Sequence, residues 1–146
     1  MLGYSDQPHL SGHARQTVGW YADATGQLTV SPVCNGDRDA IGNPIPFPRT
    51  GAEVAVSVYE LPSHTILPLH RHMFPRLTYV LTGAIHMTAS ESRVSRTYCT
   101  GELVIEPVGQ WHRCVSAAGE QVRLLVIDLV SDGASNIEFE QGAKDA

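Results

Sequence analysis

From residue 53 onward, hydrophobic and polar residues alternate along the chain. Val54, Val56 and Val58 occupy one parity, and Ser57 and Tyr59 fall on the other. This period of two is typical of a β-strand with one buried face, because successive side chains of a strand point to opposite sides. A turn is predicted directly afterwards, where proline and serine interrupt the alternation.

Further short apolar runs follow at close intervals. They are Leu77–Leu81, Ala84–Thr88, Val94–Tyr98, Leu103–Ile105, His112–Val115 and Val122–Val130. Glycine, serine and proline separate them, and no hydrophobic period of a helix is present between them. Many short strands at this spacing predict an all-β sandwich or barrel, whereas a parallel sheet would need crossover helices.

The two ends of the chain differ from this central region. We predict an N-terminal arm with strands that pack on the barrel (1–52), the barrel itself (53–130) and a polar, frayed C-terminal tail (131–146). Within the arm, Thr17–Tyr21 and Gln27–Val33 are candidate strands. The proline-rich stretch 35–51 is either a binding loop or an arm laid on another surface.

Composition and charge narrow the function classes. The 146 residues are enough for one domain with a buried core, and 42% of them are hydrophobic. The net charge of −5 comes without a basic patch, which argues against nucleic-acid or anionic-membrane partners. No apolar run reaches the ~20 residues of a membrane span, and no signal-peptide pattern opens the chain, so we expect a cytoplasmic protein.

The three cysteines, Cys34, Cys99 and Cys114, form no CxxC pair. Reduced thiols are the simplest interpretation of an odd number, with Cys99 and Cys114 on strands, and a single disulfide is the alternative.

Three histidines are the candidate metal ligands. His70 and His72 are two residues apart on a predicted strand, so both rings face one side, and His112 begins another strand forty residues later. Three imidazoles satisfy a divalent ion such as zinc, iron, nickel, manganese or copper and leave positions open for water or substrate. An HxH pair alone is weak evidence, because most histidines are surface or hydrogen-bonded residues.

The spacing around these histidines resembles the two motifs of the cupin family. The first, G-x5-H-x-H-x3,4-E-x6-G, is matched by His70, His72 and Gly83. The second, G-x5-P-x-G-x2-H-x3-N, is matched by Gly101, Pro107, Gly109 and His112. The resemblance implies a double-stranded β-helix, the jelly-roll cupin barrel, with His70, His72 and His112 as the metal ligands.

The sequence departs from the first motif at its glycine, which is His64, and at its glutamate, which is Arg76. It departs from the second at its terminal asparagine, which is Ser116. An arginine beside the metal adds repulsion unless an anion offsets it. Glu106, which precedes Pro107, pairs with Arg76, acts as a fourth ligand or faces solvent, and these alternatives stay open.

The resemblance to cupin dioxygenases predicts a metalloenzyme that acts on a small anionic or enolisable molecule. Arg76 would clamp the anion, and Glu106 would act as general base if burial raises its pKa. A non-catalytic module that binds or senses a small ligand or metal is the alternative, and a metal-independent isomerase is a third. Because the family usually forms dimers, we expect a homodimer, with Tyr21–Val33 or Pro44–Pro48 in the contact.

Overall fold

The computed structural model describes residues 32–46, 51–131 and 133–141. The chain divides into two compact units, residues 1–37 and 38–146. All strands described below belong to the second unit. The candidate strand Thr17–Tyr21 lies outside the described residues, and so does Gln27–Val33 except for its last two residues. Among the described residues, no helix has the length and hydropathy needed to cross a membrane.

The described part of the chain is built from strands, with no helix. The strands are β1 (Ala52–Leu61), β2 (Ile66–Arg71), β3 (Arg76–Thr82), β4 (Ala84–Ala89), β5 (Ser95–Cys99), β6 (Leu103–Glu106), β7 (His112–Ser116), β8 (Val122–Ser131) and β9 (Glu138–Phe139). The predicted apolar runs coincide with β1 and with β3 to β8. The all-β prediction is therefore confirmed.

The strands form two antiparallel sheets with the orders β1-β8-β3-β6 and β5-β4-β7-β2-β9. Apolar side chains from both sheets meet in one core that includes Val80, Val104, Leu124, Ile85 and Met87. The sheets do not close into a continuous barrel among the described residues. This is the double-stranded jelly-roll arrangement that the motifs predict.

Gly83, the last residue of the first motif, makes the tight connection between β3 and β4. Its φ of 82° lies in the left-handed region, and a Cβ there would stand 2.8 Å from Cγ2 of Val122. Only glycine satisfies both conditions without moving β8.

Pro68 interrupts the regular pairing of β2. The register between β2 and β7 shifts between Leu67 and His70, after which His70 and His112 become direct cross-strand partners. Proline has no N–H for the ladder, so an irregularity is expected at this point. The shift brings two predicted ligands opposite each other.

The described C-terminal residues are not frayed, contrary to the sequence prediction for the tail. β9 pairs with β2, with His70 opposite Phe139 and Arg71 opposite Glu138. Glu140 N donates to the Leu69 carbonyl at 3.1 Å, and the Arg71 guanidinium donates two hydrogen bonds to the Glu138 carboxylate. The boundaries of arm, barrel and tail stay a prediction.

Within the proline-rich stretch, residues 38–46 fold into a turn, with a bridge between Arg38 and Pro44. Asp39 Oδ1 accepts hydrogen bonds from the N–H groups of Ile41 and Asn43. The N–H of Ala40 donates to the Ile105 carbonyl, which fastens the turn to β6. This part of the stretch therefore lies along β6, at the edge of the first sheet, with Ala40 packed against the core.

His64 occupies the motif's glycine position with φ 58°, so the turn does use the left-handed conformation there. Its side chain is exposed.

The left-handed conformation costs a non-glycine residue about 1–3 kcal/mol, and replacement by glycine removes this cost. The greater entropy of glycine in the unfolded chain reduces the resulting gain in stability by roughly 0.5–1 kcal/mol. We expect His64→Gly to raise the free energy of unfolding by about 1 kcal/mol in urea denaturation. Ser63→Gly, at an exposed neighbour whose φ is not positive, should lower it, and equal effects would contradict the strain.

Candidate metal centre

The structure brings the three predicted histidines together inside the second sheet. His70 lies on β2, His112 begins β7, and His72 follows β2 in an isolated bridge to Val108. Gly109 N donates to the His72 carbonyl at 2.7 Å, so the Pro107–Gly109 turn holds this position. The ring centroids are 4.5–5.1 Å apart, and all three residues are buried.

Backbone carbonyls fix the tautomer of every ring. The Nδ1 atoms of His70 and His72 each lie 2.6 Å from a carbonyl oxygen, of Pro68 and Asn136 respectively, and Nδ1 of His112 lies 2.9 Å from that of Gln110. A carbonyl oxygen only accepts, so each Nδ1 carries the hydrogen and each neutral ring keeps its lone pair on Nε2. Such outer contacts are the usual means of orienting histidine ligands.

Glu106 completes the cluster. It ends β6 on the inner face, with Oε2 at 2.8 Å from Nε2 of His72 and 3.1 Å from Nε2 of His112. Its other oxygen accepts a hydrogen bond from the Thr78 hydroxyl. The sequence left three arrangements of the Glu106 side chain open. In the structure, its carboxylate faces the histidines.

These four side chains offer a donor set that fits a divalent cation. One ligand atom from each of His70, His72, Glu106 and His112 lies within 4.8 Å of the others. Three Nε2 lone pairs and a carboxylate repel one another unless a positive charge lies between them. Zinc binds imidazole nitrogens and carboxylate oxygens with bonds of about 2.0–2.2 Å. The cluster can therefore hold a metal whose identity the donor atoms leave open among the borderline divalent ions.

The protonation states favour metal binding. Burial, together with the neighbouring His112 and His72, lowers the pKa of His70 from 6.5 to about 4. Burial alone would raise the pKa of Glu106, but the adjacent rings of His112 and His72 hold it well below its usual range. Near neutral pH, His70 is neutral and Glu106 is ionised, which are the forms that coordinate metals.

Arg76 points inward, as predicted, but its partner is Asp128 and not Glu106. Nε and Nη2 of Arg76 donate to the two carboxylate oxygens of Asp128 at 2.7 and 2.9 Å. Burial alone would lower the pKa of Arg76, but the hydrogen bonds of Asp128 and the charge of Glu106 raise it. Glu106 and Asp128 are its two cross-strand neighbours on β6 and β8, so the guanidinium lies between two carboxylates. The bidentate geometry with Asp128 explains the choice.

A small cavity opens between the sheets beside the cluster. Its polar wall includes His70, Arg76, Thr78 and Glu106, and its apolar wall is formed by Tyr59, Leu67, Ile85, Cys114, Leu124 and Val126. Burial raises the pKa of the Cys114 thiol, so this thiol stays protonated and is a poor nucleophile. The described cysteines are all free. Thr78 and Val80 are buried on the face of Arg76, as the alternation of β3 predicts.

Two polar residues of this region were missed in the sequence. Asp128 shares the parity of Val126 and Val130 on β8, and counting by two along that run would have placed it on the inner face. Asn136 gave no signal, because it lies in an irregular segment and its burial depends on the docking of β9. A further histidine, His86 on β4, is exposed and hydrogen-bonded to Thr97 and Ser95.

The comparisons with known proteins agree with this geometry. The Cupin domain family model matches residues 57–128, which contain both motifs and all four donor residues. The chain belongs to the cupin superfamily. No curated protein matches the chain significantly.

Several solved structures share the fold at low sequence identity. A cupin-2 domain from Rhodospirillum rubrum is 19% identical, with a TM-score of 0.52, and the match covers 68% of this chain and 65% of that one. The DMSP lyase DddQ from Ruegeria pomeroyi is 20% identical, with a TM-score of 0.53 and coverage of 63% and 45%. An oxalate oxidase in complex with glycolate is 18% identical, with a TM-score of 0.51 and coverage of 59% and 45%. The chain spans less than two thirds of each of these proteins.

Glu106→Gln tests the fourth donor. The amide keeps the size of the side chain but removes its negative charge, so we expect metal affinity to fall by about 10-fold or more. Zinc affinity, measured by competition with a chromogenic chelator, is the readout. Glu120→Gln, at an exposed turn residue, should leave the affinity unchanged. An unchanged affinity in Glu106→Gln would show that the carboxylate is no ligand.

Proposed function

We propose that this cupin is a metal-dependent, dioxygenase-like enzyme that acts on a small anionic or enolisable molecule bound beside the metal. The observation that supports it is the convergence of three Nε2 atoms and one carboxylate on the edge of a cavity. Four protein donors leave coordination positions for a substrate on an ion that accepts five or six ligands. A bound divalent ion would polarise a carbonyl or enolate oxygen and, if redox-active, would supply electrons to dioxygen.

In this proposal Arg76 binds the anionic group of the substrate. Its Nε and Nη2 are committed to Asp128, but Nη1 has no hydrogen-bond partner among the described residues. Arg76 also lines the cavity, next to Thr78 and Glu106. The Nη1 N–H pair, on a guanidinium held in place by Asp128, is suited to a carboxylate or enolate oxygen.

Glu106 takes the role of anionic ligand. The general-base role predicted from the sequence required a raised pKa, whereas the pKa of Glu106 is lowered. The apolar wall, with Leu67, Ile85 and Val126, would exclude bulk water from the bound substrate. Among fold neighbours, the oxalate oxidase was solved with glycolate, a small carboxylate, which is compatible with a ligand of this class.

The function is tested on untagged protein by elemental analysis, followed by oxygen uptake with enolisable carboxylates and diketones. We expect a stoichiometric divalent metal and uptake that stops when the metal is removed. A metal-loaded protein that turns over none of these compounds but binds one of them would favour the non-catalytic sensing alternative. A protein that binds no divalent metal would refute the proposal.

The role of Arg76 is tested with the double variant Arg76→Gln/Asp128→Asn, which removes the ion pair without leaving a buried charge unpaired. We expect its preference for a carboxylate over the matching neutral amide to fall by about 10- to 100-fold, the value of a charged hydrogen bond. Arg113→Gln, on the exposed face of β7, is the control. An unchanged preference would remove Arg76 from substrate binding.

We also propose a cytoplasmic homodimer. Among the described strands, β1 lies at the edge of its sheet, and its Val54, Val56 and Val58 are 60%, 58% and 50% exposed. Val56 begins an apolar row that continues through Ile127, Leu77 and Ile105 across all four strands of the sheet. A second copy of the chain would cover this face, because an exposed apolar edge strand otherwise favours aggregation.

Val56→Glu places a charge in the middle of that face. We expect it to convert a dimer into a monomer in sedimentation experiments at micromolar concentration. Thr88→Glu, which adds the same charge to the exposed face of β4, should remain dimeric. A monomeric wild-type protein would contradict the proposal directly.

A further inference from the structure

Asn136 is buried, with 5% of its surface exposed, and its side chain makes three hydrogen bonds. Its Oδ1 accepts from Phe74 N at 2.8 Å, and its Nδ2 donates to the Phe74 carbonyl at 3.1 Å. The second Nδ2 hydrogen goes to Oδ1 of Asp128 at 2.6 Å. An amide with one acceptor and two donors satisfied by fixed partners has a single orientation.

The backbone of the same residue contacts the metal cluster. The carbonyl oxygen of Asn136 accepts the Nδ1 hydrogen of His72 at 2.6 Å, which directs the Nε2 lone pair of that ring at the other donors. The side chain of Asn136 therefore fixes the position of the carbonyl that orients His72.

Asn136 also reaches the second half of the site through Asp128. Asp128 Oδ1 receives both Asn136 Nδ2 and Arg76 Nε, at 2.6 and 2.7 Å. A movement of Asn136 would consequently shift the carboxylate that orients the guanidinium. One residue thus connects a candidate metal ligand with the candidate anion-binding group.

The strand that follows holds Asn136 in place. β9 pairs with β2 only two to three residues later, and the Arg71–Glu138 ion pair joins the two strands beside His70 and His72. The segment that carries Asn136 is therefore attached to the same strand that carries the ligands.

We infer that Asn136 is a positioning residue of the metal centre: it orients His72 through its carbonyl and Arg76 through Asp128. This inference rests on the metal site of the proposed function. It adds to the site a segment, residues 133–141, that contains neither cupin motif. Since outer contacts of this kind typically contribute 10- to 100-fold to metal affinity, Asn136 should contribute on that scale.

The test uses the full chain and Co²⁺ as probe, with affinity from chelator competition and ligand geometry from the visible absorption of the bound cobalt. Asn136→Ala should bind Co²⁺ about 10- to 100-fold more weakly than wild type, with an altered absorption spectrum. Asn136→Ser keeps one short hydroxyl for Asp128 or Phe74 and should be intermediate. Ser135→Ala, at the exposed neighbour, should match wild type. Circular dichroism at the titration temperature establishes that each variant is folded.

The outcomes separate the inference from the function on which it rests. If wild type binds no Co²⁺, the proposed function fails. If wild type binds it and both folded Asn136 variants match its affinity and spectrum, only the inference is overturned, even where their melting temperatures are lower. If neither variant folds, Asn136 determines the fold and not the site, and the inference is likewise rejected. Should Asn136→Ala alone fail to fold, Asn136→Ser decides.

Discussion

The main constraint on the structure of this cupin is that four metal-ligand side chains point inward at one another. Their mutual repulsion would be relieved by a cation. The Nε2 atoms of His72 and His112 lie 2.8 and 3.1 Å from one carboxylate oxygen of Glu106, while their Nδ1 hydrogens are bound to carbonyls. A buried set of lone pairs is costly unless positive charge accompanies it. The sheets, turns and outer contacts around the site hold the donors in this costly arrangement.

Charge balance explains why an arginine can replace the family's glutamate. Arg76 lies between Asp128 and Glu106 on three neighbouring strands, so the row carries one positive and two negative charges. Asp128 neutralises the positive charge of the Arg76 guanidinium. The negative charge of Glu106 therefore remains available to a metal. The carboxylate that the first motif lost is thus supplied from the end of β6, and the centre again has three histidines and one acidic residue.

The polar contacts behind the site form one connected network. Hydrogen bonds of 2.6–2.7 Å link His72, Asn136, Asp128 and Arg76 in that order, and Glu106 Oε2 lies 2.8 Å from Nε2 of His72. In a site of low dielectric such a network is strong when all its members are satisfied, and no buried side-chain polar atom of the described residues lacks a partner. A substitution at one end of this network should therefore alter the contacts at the other end.

The sequence by itself determined the strands, the jelly-roll fold, the three histidines and the inward direction of Arg76. The strands and the direction of Arg76 follow from alternation with a period of two, which acts over a few residues, and the fold and the histidines follow from the resemblance to the two cupin motifs. Only the tertiary structure decided that Asp128 pairs with Arg76, that Glu106 faces the histidines and that Asn136 supports His72. Those choices depend on which strands become neighbours: β3 lies between β6 and β8, and β9 docks on β2. Local pattern fixes the face of a side chain, but its partner is set by contacts 8 to 64 residues away along the chain.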